Sequence, residues 1–248
     1  MSTFDDLLKE IPKLSSYTNE IYRIVETQED AATRRLVDSL EEQELLEQLL
    51  DGTKPDYREG STGRHYLITT PFRYPPLEYG SRFGHYEMPS FFYGSEKIIT
   101  SLTECAFYRF VFFDDMEIAY DKIVISEHMS FTVNIQSNTA CDLTTIVDMQ
   151  IQMMLQDQIN YIPCQRLGEY LTEELKVTVL RYYSARAKGE VNLAISDISA
   201  ITSDSPANQV KWTFETGEQH ISMRSHDSGV LTFLKADFLI ENQLPKPA

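Results

Sequence analysis

Short β-type runs separated by a few helical segments constrain the fold of this chain more than any other feature of its sequence. Nine apolar or β-branched runs lie beyond residue 60, at 65–70, 91–93, 122–125, 131–135, 177–183, 191–198, 210–216, 221–224 and 230–234. Helical spacing is found at 99–113, 143–154 and 165–174. Because strands and helices do not alternate regularly, the pattern predicts an α+β domain and not a βαβ fold.

The first 60 residues have a different pattern, with apolar side chains at helical spacing over residues 4–51. These positions are Leu7, Leu8, Ile11, Ile21, Ile24, Val25 and the leucine-rich stretch from 36 to 50. Gly52 and Pro55 then supply a stop signal. We therefore expect an N-terminal helical extension over residues 1–60, packed as a cap on a main domain of residues 61–248. A surface for oligomerisation or for a partner is the alternative.

Charge and composition exclude several classes of function. The chain has 22 Lys and Arg against 38 Asp and Glu, a formal net charge of −16. A chain this acidic is repelled by phosphate backbones, so direct binding of nucleic acid is not expected. If the chain binds an anionic cofactor, a few arginines must be grouped at the binding site to attract it. No run of 18 apolar residues and no signal pattern is present, which predicts a cytoplasmic protein without a membrane span.

The cysteine and histidine patterns predict neither a disulfide framework nor a metal site. Three cysteines occur without a CxxC pair, and five histidines form no HxxxH or HExxH motif. We therefore expect chemistry without a metal ion.

One glycine-bracketed loop is a candidate for binding phosphate. It reads Gly80-Ser81-Arg82-Phe83-Gly84. The glycines let the backbone bend and approach a ligand closely, and the planar guanidinium of Arg82 is suited to grip a pyrophosphate. A plain surface turn is the alternative for this short motif.

Two further candidates follow at equal spacing. Tyr93 ends a short strand 11 residues after Arg82, and Glu104 comes 11 residues after Tyr93. Glu104 lies within an otherwise apolar helix, where a carboxylate must be paired or hydrogen-bonded. A salt bridge to a neighbour such as Arg109 is the structural alternative to a catalytic role.

A third element is the segment Tyr182-Tyr183-Ser184-Ala185-Arg186, followed by a strand that contains Asn192-Leu193-Ala194. Ser184 lacks a GxSxG elbow, so an acyl-hydrolase nucleophile is not expected. A hydroxyl that binds a ligand is the functional interpretation, and a structural turn serine is the alternative.

In their order and spacing these elements resemble the RES-domain family, over roughly residues 65–235. The family pattern has a glycine-rich loop with Arg, a strand Tyr, a helix Glu and a later Tyr-x-Ser-x-Arg. These fall on Arg82, Tyr93, Glu104 and Ser184. The family usually has Trp and Asn after the loop Arg, where this chain has Phe83 and Gly84, so that aromatic character for stacking is retained at Phe83 only.

The resemblance implies an ADP-ribosyltransferase-like mixed β core that holds NAD⁺ in a cleft. It also implies cleavage of the bond between nicotinamide and ribose, by water or by phosphate, in a toxin of a toxin–antitoxin system. The expected partner is an antitoxin with a helix-turn-helix part, and the family precedent suggests a homodimer. Two alternatives stay open: transfer of ADP-ribose to a protein, and a non-catalytic binding module.

The resemblance also assigns expected roles to single residues. Glu104 would stabilise the positively charged ribose in the transition state. Arg82 would hold the pyrophosphate, Tyr93 would orient the nicotinamide end, and Ser184 would hydrogen-bond the cofactor. Arg73 and Arg186 are secondary candidates for phosphate contacts, although Arg186 is equally compatible with an exposed turn.

Overall fold

The structure is a computed structural model that describes residues 4–27, 36–116 and 122–246. Its helices are α1 (Phe4–Lys9), α2 (Leu40–Thr53), α3 (Tyr66–Arg73), α4 (Ile98–Asp114), α5 (Met149–Leu155) and α6 (Ile162–Glu173). Its strands are β1 (Ser15–Glu26), β2 (Phe92–Ser95), β3 (Val124–Asp142), β4 (Val179–Tyr183), β5 (Val191–Ile195), β6 (Ala207–Thr216), β7 (His220–Ser225) and β8 (Gly229–Leu234). The predicted α+β class is confirmed.

The eight strands form one sheet in the order β1-β2-β5-β4-β3-β6-β7-β8, with an additional pairing between β1 and β3. Because of that pairing, the strands β1, β2, β5, β4 and β3 form a closed ring. All pairs are antiparallel except β3 with β4, which run parallel over Ala140–Asp142. Strands β6, β7 and β8 extend from the first half of β3 as an antiparallel meander.

Strand β1 corrects the prediction that residues 4–51 are helical throughout. Ser15–Glu26 pairs with β3 along nearly its whole length, so the first 60 residues are not an all-helical extension. Ile21 and Val25 pack into one hydrophobic core and Ile24 into another. A strand with apolar side chains on both faces loses the simple alternation of a half-exposed strand and resembles a helical pattern. The boundary at residue 60 stays a prediction, and residues 28–35 lie outside the described part of the chain.

The two helices of the N-terminal segment, α1 and α2, differ in how deeply their side chains are buried. Helix α1 contributes the fully buried Leu7 to the core, as expected of a cap. Helix α2 buries none of its residues, and Leu45 and Leu49 are 57% and 63% exposed. The interpretation of this leucine-rich stretch as a packed cap is therefore wrong for α2.

The sequence pattern at 65–70 predicts a strand, but the structure has the start of helix α3 there. His65 caps the helix, since its Nδ1 accepts a hydrogen bond of 3.2 Å from the amide of Leu67. Leu67, Ile68 and Phe72 then face the core on one side of the helix. The runs predicted as separate strands at 122–125 and 131–135 are parts of one long strand, β3, and the helix predicted at 143–154 is an α-helix only from Met149. The other predicted strands and helices correspond to observed elements within a few residues. No helix of the described ranges is long and apolar enough to cross a membrane.

Helix α4 is the element that most directly positions the site. Its apolar side chains Ala106, Phe107 and Phe110 belong to one hydrophobic core with Trp212 and Phe214 of β6, and the rings of Phe107 and Phe110 contact that of Phe238. This packing fixes the orientation of the helix on the sheet. The opposite side of the helix, which carries Glu104, then faces the cavity described below.

Candidate active site

A cavity of about 490 Å³ lies between helix α4, strands β1, β2, β4 and β5, and the glycine-bracketed loop. Its volume is in the range of small-molecule and cofactor pockets. The charged side chains that line it are Arg23, Arg82, Arg186 and Glu104. A chain with a net charge of −16 thus has a cavity in which arginines outnumber acids.

Glu104 is held at one of its two carboxylate oxygens. Oε1 accepts a hydrogen bond of 2.6 Å from the hydroxyl of Ser184 and one of 2.7 Å from the side-chain amide of Asn192. Within the described residues no hydrogen bond reaches Oε2, whose ion-pair partner, Nε of Arg186, is 3.9 Å away. The carboxylate is therefore fixed through Oε1, and Oε2 is left available at the cavity.

The two donors to Glu104 are themselves held in place. The Ser184 oxygen accepts hydrogen bonds from the backbone amides of Arg186 and Ala187, at 3.1 and 2.9 Å, so its own proton is directed to Glu104. The side-chain oxygen of Asn192 accepts a hydrogen bond of 2.7 Å from Ser95, which leaves its NH₂ group for Glu104. Both donors are buried, and Ser184 is only 1% exposed.

Arg186 is a buried cation at the inner wall of the cavity. Its side chain is 2% exposed, so the alternative of an exposed turn arginine is wrong. Nη2 donates a hydrogen bond of 2.6 Å to the hydroxyl of Tyr161, and the guanidinium lies 4.2 Å from the ring centre of Phe107. These contacts place the charge beside Glu104 without a close ion pair.

Arg82 points inward from its loop and is 6% exposed. Its Nη1 donates to the carbonyl oxygens of Leu155 and Asp157 at 2.9 and 3.0 Å, and its guanidinium stacks over the ring of Tyr161 at 4.3 Å. An arginine in a plain surface turn would not be buried in this way. The loop is therefore part of the cavity wall.

Tyr93 fixes the loop that carries Arg82. Its hydroxyl shares a hydrogen bond of 2.8 Å with Ser81 and accepts one of 3.2 Å from the amide of Phe83. Burial raises the pKa of Tyr93 to about 12, so the phenol is neutral at physiological pH. Phe83 itself is fully buried against Tyr182 in the core and does not line the cavity, so it is not placed to stack on a ligand.

Two glycines are required by the geometry of this loop. Gly80 has φ of +74°, and a Cβ there would collide with the carbonyl oxygen of Gly84. In helix α6, a Cβ on Gly168 would collide with the carbonyl oxygen of Phe83. The helix and the loop can approach this closely only because both positions lack a side chain.

Tyrosines form much of the remaining wall. Tyr108 and Tyr161 lie with their hydroxyl oxygens 3.4 Å apart, and Tyr182 faces the cavity from β4. Burial raises the pKa of Tyr108 and of Tyr182 above the usual range. These aromatic rings supply flat apolar surfaces beside the arginines, an arrangement suited to a ligand that has both rings and phosphates.

Not every sequence candidate reaches the cavity. The structure brings Arg82, Tyr93, Glu104 and Arg186 to its lining and Ser184 directly behind it. Arg73 instead donates to the carbonyl of Pro55 and stacks over Tyr57, and it does not line this cavity, so the structure gives no support to its expected phosphate contact. Arg109 pairs with Glu26, so the alternative of a salt bridge between Arg109 and Glu104 is wrong.

The sequence reasoning missed several lining residues, of which Arg23 and Asn192 matter most. Asn192 stands in the strand motif after Ser184, and its polar side chain in an otherwise apolar strand was the available signal. Arg23 had no such signal, because the apolar spacing of β1 resembles that of a helix. In the described ranges no group of three or more His, Cys, Asp or Glu side chains is arranged to hold a metal ion.

The three cavity arginines share one further property. Nε of Arg23, Nη2 of Arg82 and Nε of Arg186 are buried and have no hydrogen-bond partner among the described residues. No other arginine of the described ranges has such a nitrogen. A buried donor without an acceptor is costly, by about 1–3 kcal/mol, so these three nitrogens leave uncompensated positive charge around one cavity, which favours an anionic ligand.

Comparison with known proteins adds a family to this geometry. The model of the RES domain family matches residues 55–215. No curated protein matches the chain. Among solved structures, a chain of the M. tuberculosis MbcT-MbcA toxin-antitoxin complex is similar with a TM-score of 0.41 and 12% sequence identity, over 94% of this chain and 92% of that one.

Proposed function

The chain belongs to the RES-domain family, and we propose that it cleaves the bond between nicotinamide and ribose in NAD⁺. The observation that carries this proposal is the combination of three arginines with unpartnered buried donors and one carboxylate with a free oxygen in a single cavity. A dinucleotide presents phosphate oxygens to the former and a ribose to the latter.

The reaction needs a group that offsets positive charge on the sugar. The bond between C1′ of the ribose and the ring nitrogen of nicotinamide breaks, and its electron pair leaves with nicotinamide, which becomes neutral. The ribose then has oxocarbenium character until an oxygen of water or of phosphate binds C1′. With water, one proton is released as ADP-ribose forms. Oε2 of Glu104 is the proposed stabiliser of this charge, since a preorganised carboxylate acts without reorganisation.

The remaining side chains of the cavity would bind and orient the substrate. Arg82 is assigned to the pyrophosphate, and Arg186 remains a candidate for a phosphate contact. The hydroxyl of Tyr93 is engaged by its loop, so its proposed role at the nicotinamide end is limited to its ring. Ser184 has its proton directed to Glu104, which favours orientation of the carboxylate over direct contact with NAD⁺.

Product analysis tests the proposal and identifies the acceptor. The purified full-length chain is incubated with NAD⁺, with and without inorganic phosphate, and nicotinamide release is followed together with the ribose product. Free ADP-ribose indicates hydrolysis, a phosphorylated ADP-ribose indicates phosphorolysis, and ADP-ribose bound to protein indicates transfer. Binding of NAD⁺ without release of nicotinamide under any condition would refute cleavage and support the binding module.

We also propose a protein partner, an antitoxin with a helix-turn-helix part, because a cytoplasmic enzyme that destroys NAD⁺ must be restrained. The cavity arginines favour a blocking segment that presents a carboxylate. DNA binding would then fall to the partner, given the charge of −16. Co-expression with the product of the neighbouring gene, followed by pull-down and measurement of cellular NAD⁺, tests this. A neighbour that neither binds nor inhibits the chain would refute the partner.

A further inference from the structure

Helix α2 carries a row of leucines on the surface of the fold. Four of them, at spacings of i, i+1, i+4 and i+5, share one face of the helix, here called the leucine face: Leu45, Leu46, Leu49 and Leu50. All but Leu46 are exposed, and none of the four belongs to a hydrophobic core of the described residues. Contiguous exposed apolar surface of this kind is typical of an interaction site.

The helix that carries the leucine face is fixed at both ends. At its start, Oγ of Ser39 accepts a hydrogen bond of 3.1 Å from the amide of Glu42, and Oε2 of Glu42 accepts one of 3.0 Å from the amide of Asp38. Near its end, Asp51 forms an ion pair of 3.3 Å with Arg73 of helix α3. Because α3 packs into the core, the leucine face is attached to the body of the fold.

The leucine face lacks the packing that normally stabilises a helix of this length. Helix α2 has 14 residues, and a helix of about that length is marginal in water unless its apolar face packs against something. Among the described residues, nothing buries a side chain of α2. A docked partner would supply this missing contact.

The charges around the leucine face determine which partner fits it. Residues 36–53 contain no Lys or Arg and six acids, which are Asp38, Glu41, Glu42, Glu44, Glu47 and Asp51. A second copy of the chain would bring six more acids against these, and an anionic lipid surface would also be repelled. A surface with apolar side chains between lysines or arginines would instead be attracted.

We propose that the leucine face of α2 binds a basic amphipathic helix of a partner protein. The apolar stripe of that helix packs on the leucines, and its basic borders lie against the acids of α2. Helix α2 contributes no residue to the cavity and precedes residues 55–215, which match the family model. The inference therefore does not depend on whether the chain cleaves NAD⁺.

Fluorescence anisotropy with two synthetic helical peptides tests this inference on the full-length chain. Both peptides have the length of α2 and the same row of leucines, but one has lysines along the borders of the row and the other has glutamates. The double variant Leu45→Ser/Leu49→Ser removes apolar surface from the leucine face. Val147→Ser/Met153→Ser is the matched control, because both of its side chains are exposed and apolar but lie outside α2.

The lysine peptide should bind the wild type and the Val147→Ser/Met153→Ser control equally, and Leu45→Ser/Leu49→Ser about 10-fold or more weakly. A second variant, Glu41→Gln/Glu44→Gln, removes two exposed charges of α2. It should bind the lysine peptide more weakly, with a smaller dependence on salt. If circular dichroism shows that the leucine variant does not fold, the glutamine variant carries the test.

Several outcomes would overturn the inference. These are no binding of the lysine peptide by the wild type, equal binding by the folded leucine variant, or equal affinity of the wild type for both peptides. A dimer in sedimentation that is lost in the leucine variant would assign the face to a second copy of the chain. Co-sedimentation with phosphatidylcholine vesicles that is lost in the same variant would assign it to a membrane.

Nicotinamide release separates this inference from the proposed function. Since α2 lies outside the cavity, the leucine variant should release nicotinamide at the wild-type rate. If the wild type releases none but binds the lysine peptide through the leucine face, cleavage is refuted and the docking site stands. If the wild type cleaves NAD⁺ and does not bind the peptide, the docking site is refuted and cleavage stands.

Discussion

The hydroxyl of Ser184 lies 2.6 Å from Oε1 of Glu104, and the same hydroxyl oxygen accepts two backbone amide protons. A serine that accepts two amides has its own proton to donate in one remaining direction, which here is the carboxylate. This arrangement makes Ser184 a positioning residue for Glu104. It connects a turn after strand β4 to helix α4, 80 residues earlier in the chain.

Replacement of Ser184 by Ala should lower kcat for nicotinamide release by about 10-fold or more, with a smaller change in KM. The loss of a hydrogen bond to a charged group frees the carboxylate to leave its working orientation. Ser130→Ala is the control, since Ser130 is also buried and hydrogen-bonded, to Trp212, away from the cavity. A rise in KM with kcat unchanged would indicate that Ser184 contacts the substrate directly.

Asn192 is the second donor to Glu104, and a double variant tests whether Asn192 and Ser184 act together. Asn192→Ala should also lower kcat, because Asn192 donates to the same oxygen at 2.7 Å. Combined with Ser184→Ala, its effect should be clearly non-additive, since both variants release one carboxylate. Steady-state kinetics of the two single variants and the double variant provide the measurement. Strictly additive losses would show that the two residues act independently.

Arg82→Lys should weaken the binding of NAD⁺ on the order of 10-fold. Lysine keeps the charge, but its single nitrogen cannot contact the carbonyls of Leu155 and Asp157 and also present a separate donor to a phosphate. The affinity is measured by calorimetry on a Glu104→Gln background, so that NAD⁺ is not consumed. Arg109→Lys on the same background is the control, and unchanged affinity for Arg82→Lys would reduce Arg82 to a loop residue.

Acid should destabilise the fold through His128. Burial, with a further contribution from Arg109, lowers the pKa of His128 to about 4, while its ring stacks on Phe214 with 3.8 Å between ring centres. The unfolded chain binds this proton near pH 6.5 and the folded chain does not. The contribution of His128 to the free energy of unfolding is therefore complete above pH 6.5 and is lost as the pH decreases toward 4. Between pH 7.5 and pH 5 this loss is about 2 kcal/mol.

Urea unfolding at these two pH values measures the effect. His128→Phe keeps an aromatic ring against Phe214 but removes the titrating group, so its free energy of unfolding should depend less on pH by that amount. The same pH dependence in His128→Phe and in the wild type would exclude His128 as the cause.

The sequence predicted the central part of the site because its residues lie in local motifs with chemical meaning. The carboxylate in an apolar helix and the glycine-bracketed arginine each indicated a function, and the fold brings Arg82 and Glu104 to one cavity. Arg73 had an equally suitable side chain, but local spacing did not show that it would stack on Tyr57 instead. The roles of the residues that do reach the cavity stay predictions.

Long-range strand pairing explains what the sequence did not predict. Arg23 reaches the cavity only because β1 pairs with β3, more than 100 residues later, at Phe131. Apolar side chains on both faces of β1 hid its strand character, as Ile21 and Ile24 pack into different cores. A period derived from local spacing cannot distinguish such a strand from a helix, because burial on both faces depends on partners distant in sequence.

The most direct test of the account is nicotinamide release by Glu104→Gln. The amide keeps the shape of the side chain but cannot offset developing positive charge, so the rate of release should fall by about 10²-fold or more. Circular dichroism, thermal unfolding and ADP binding should match the wild type, which would show that the fold and the arginine site are intact. Release of nicotinamide at the wild-type rate by a folded Glu104→Gln protein would contradict the central role assigned to Glu104.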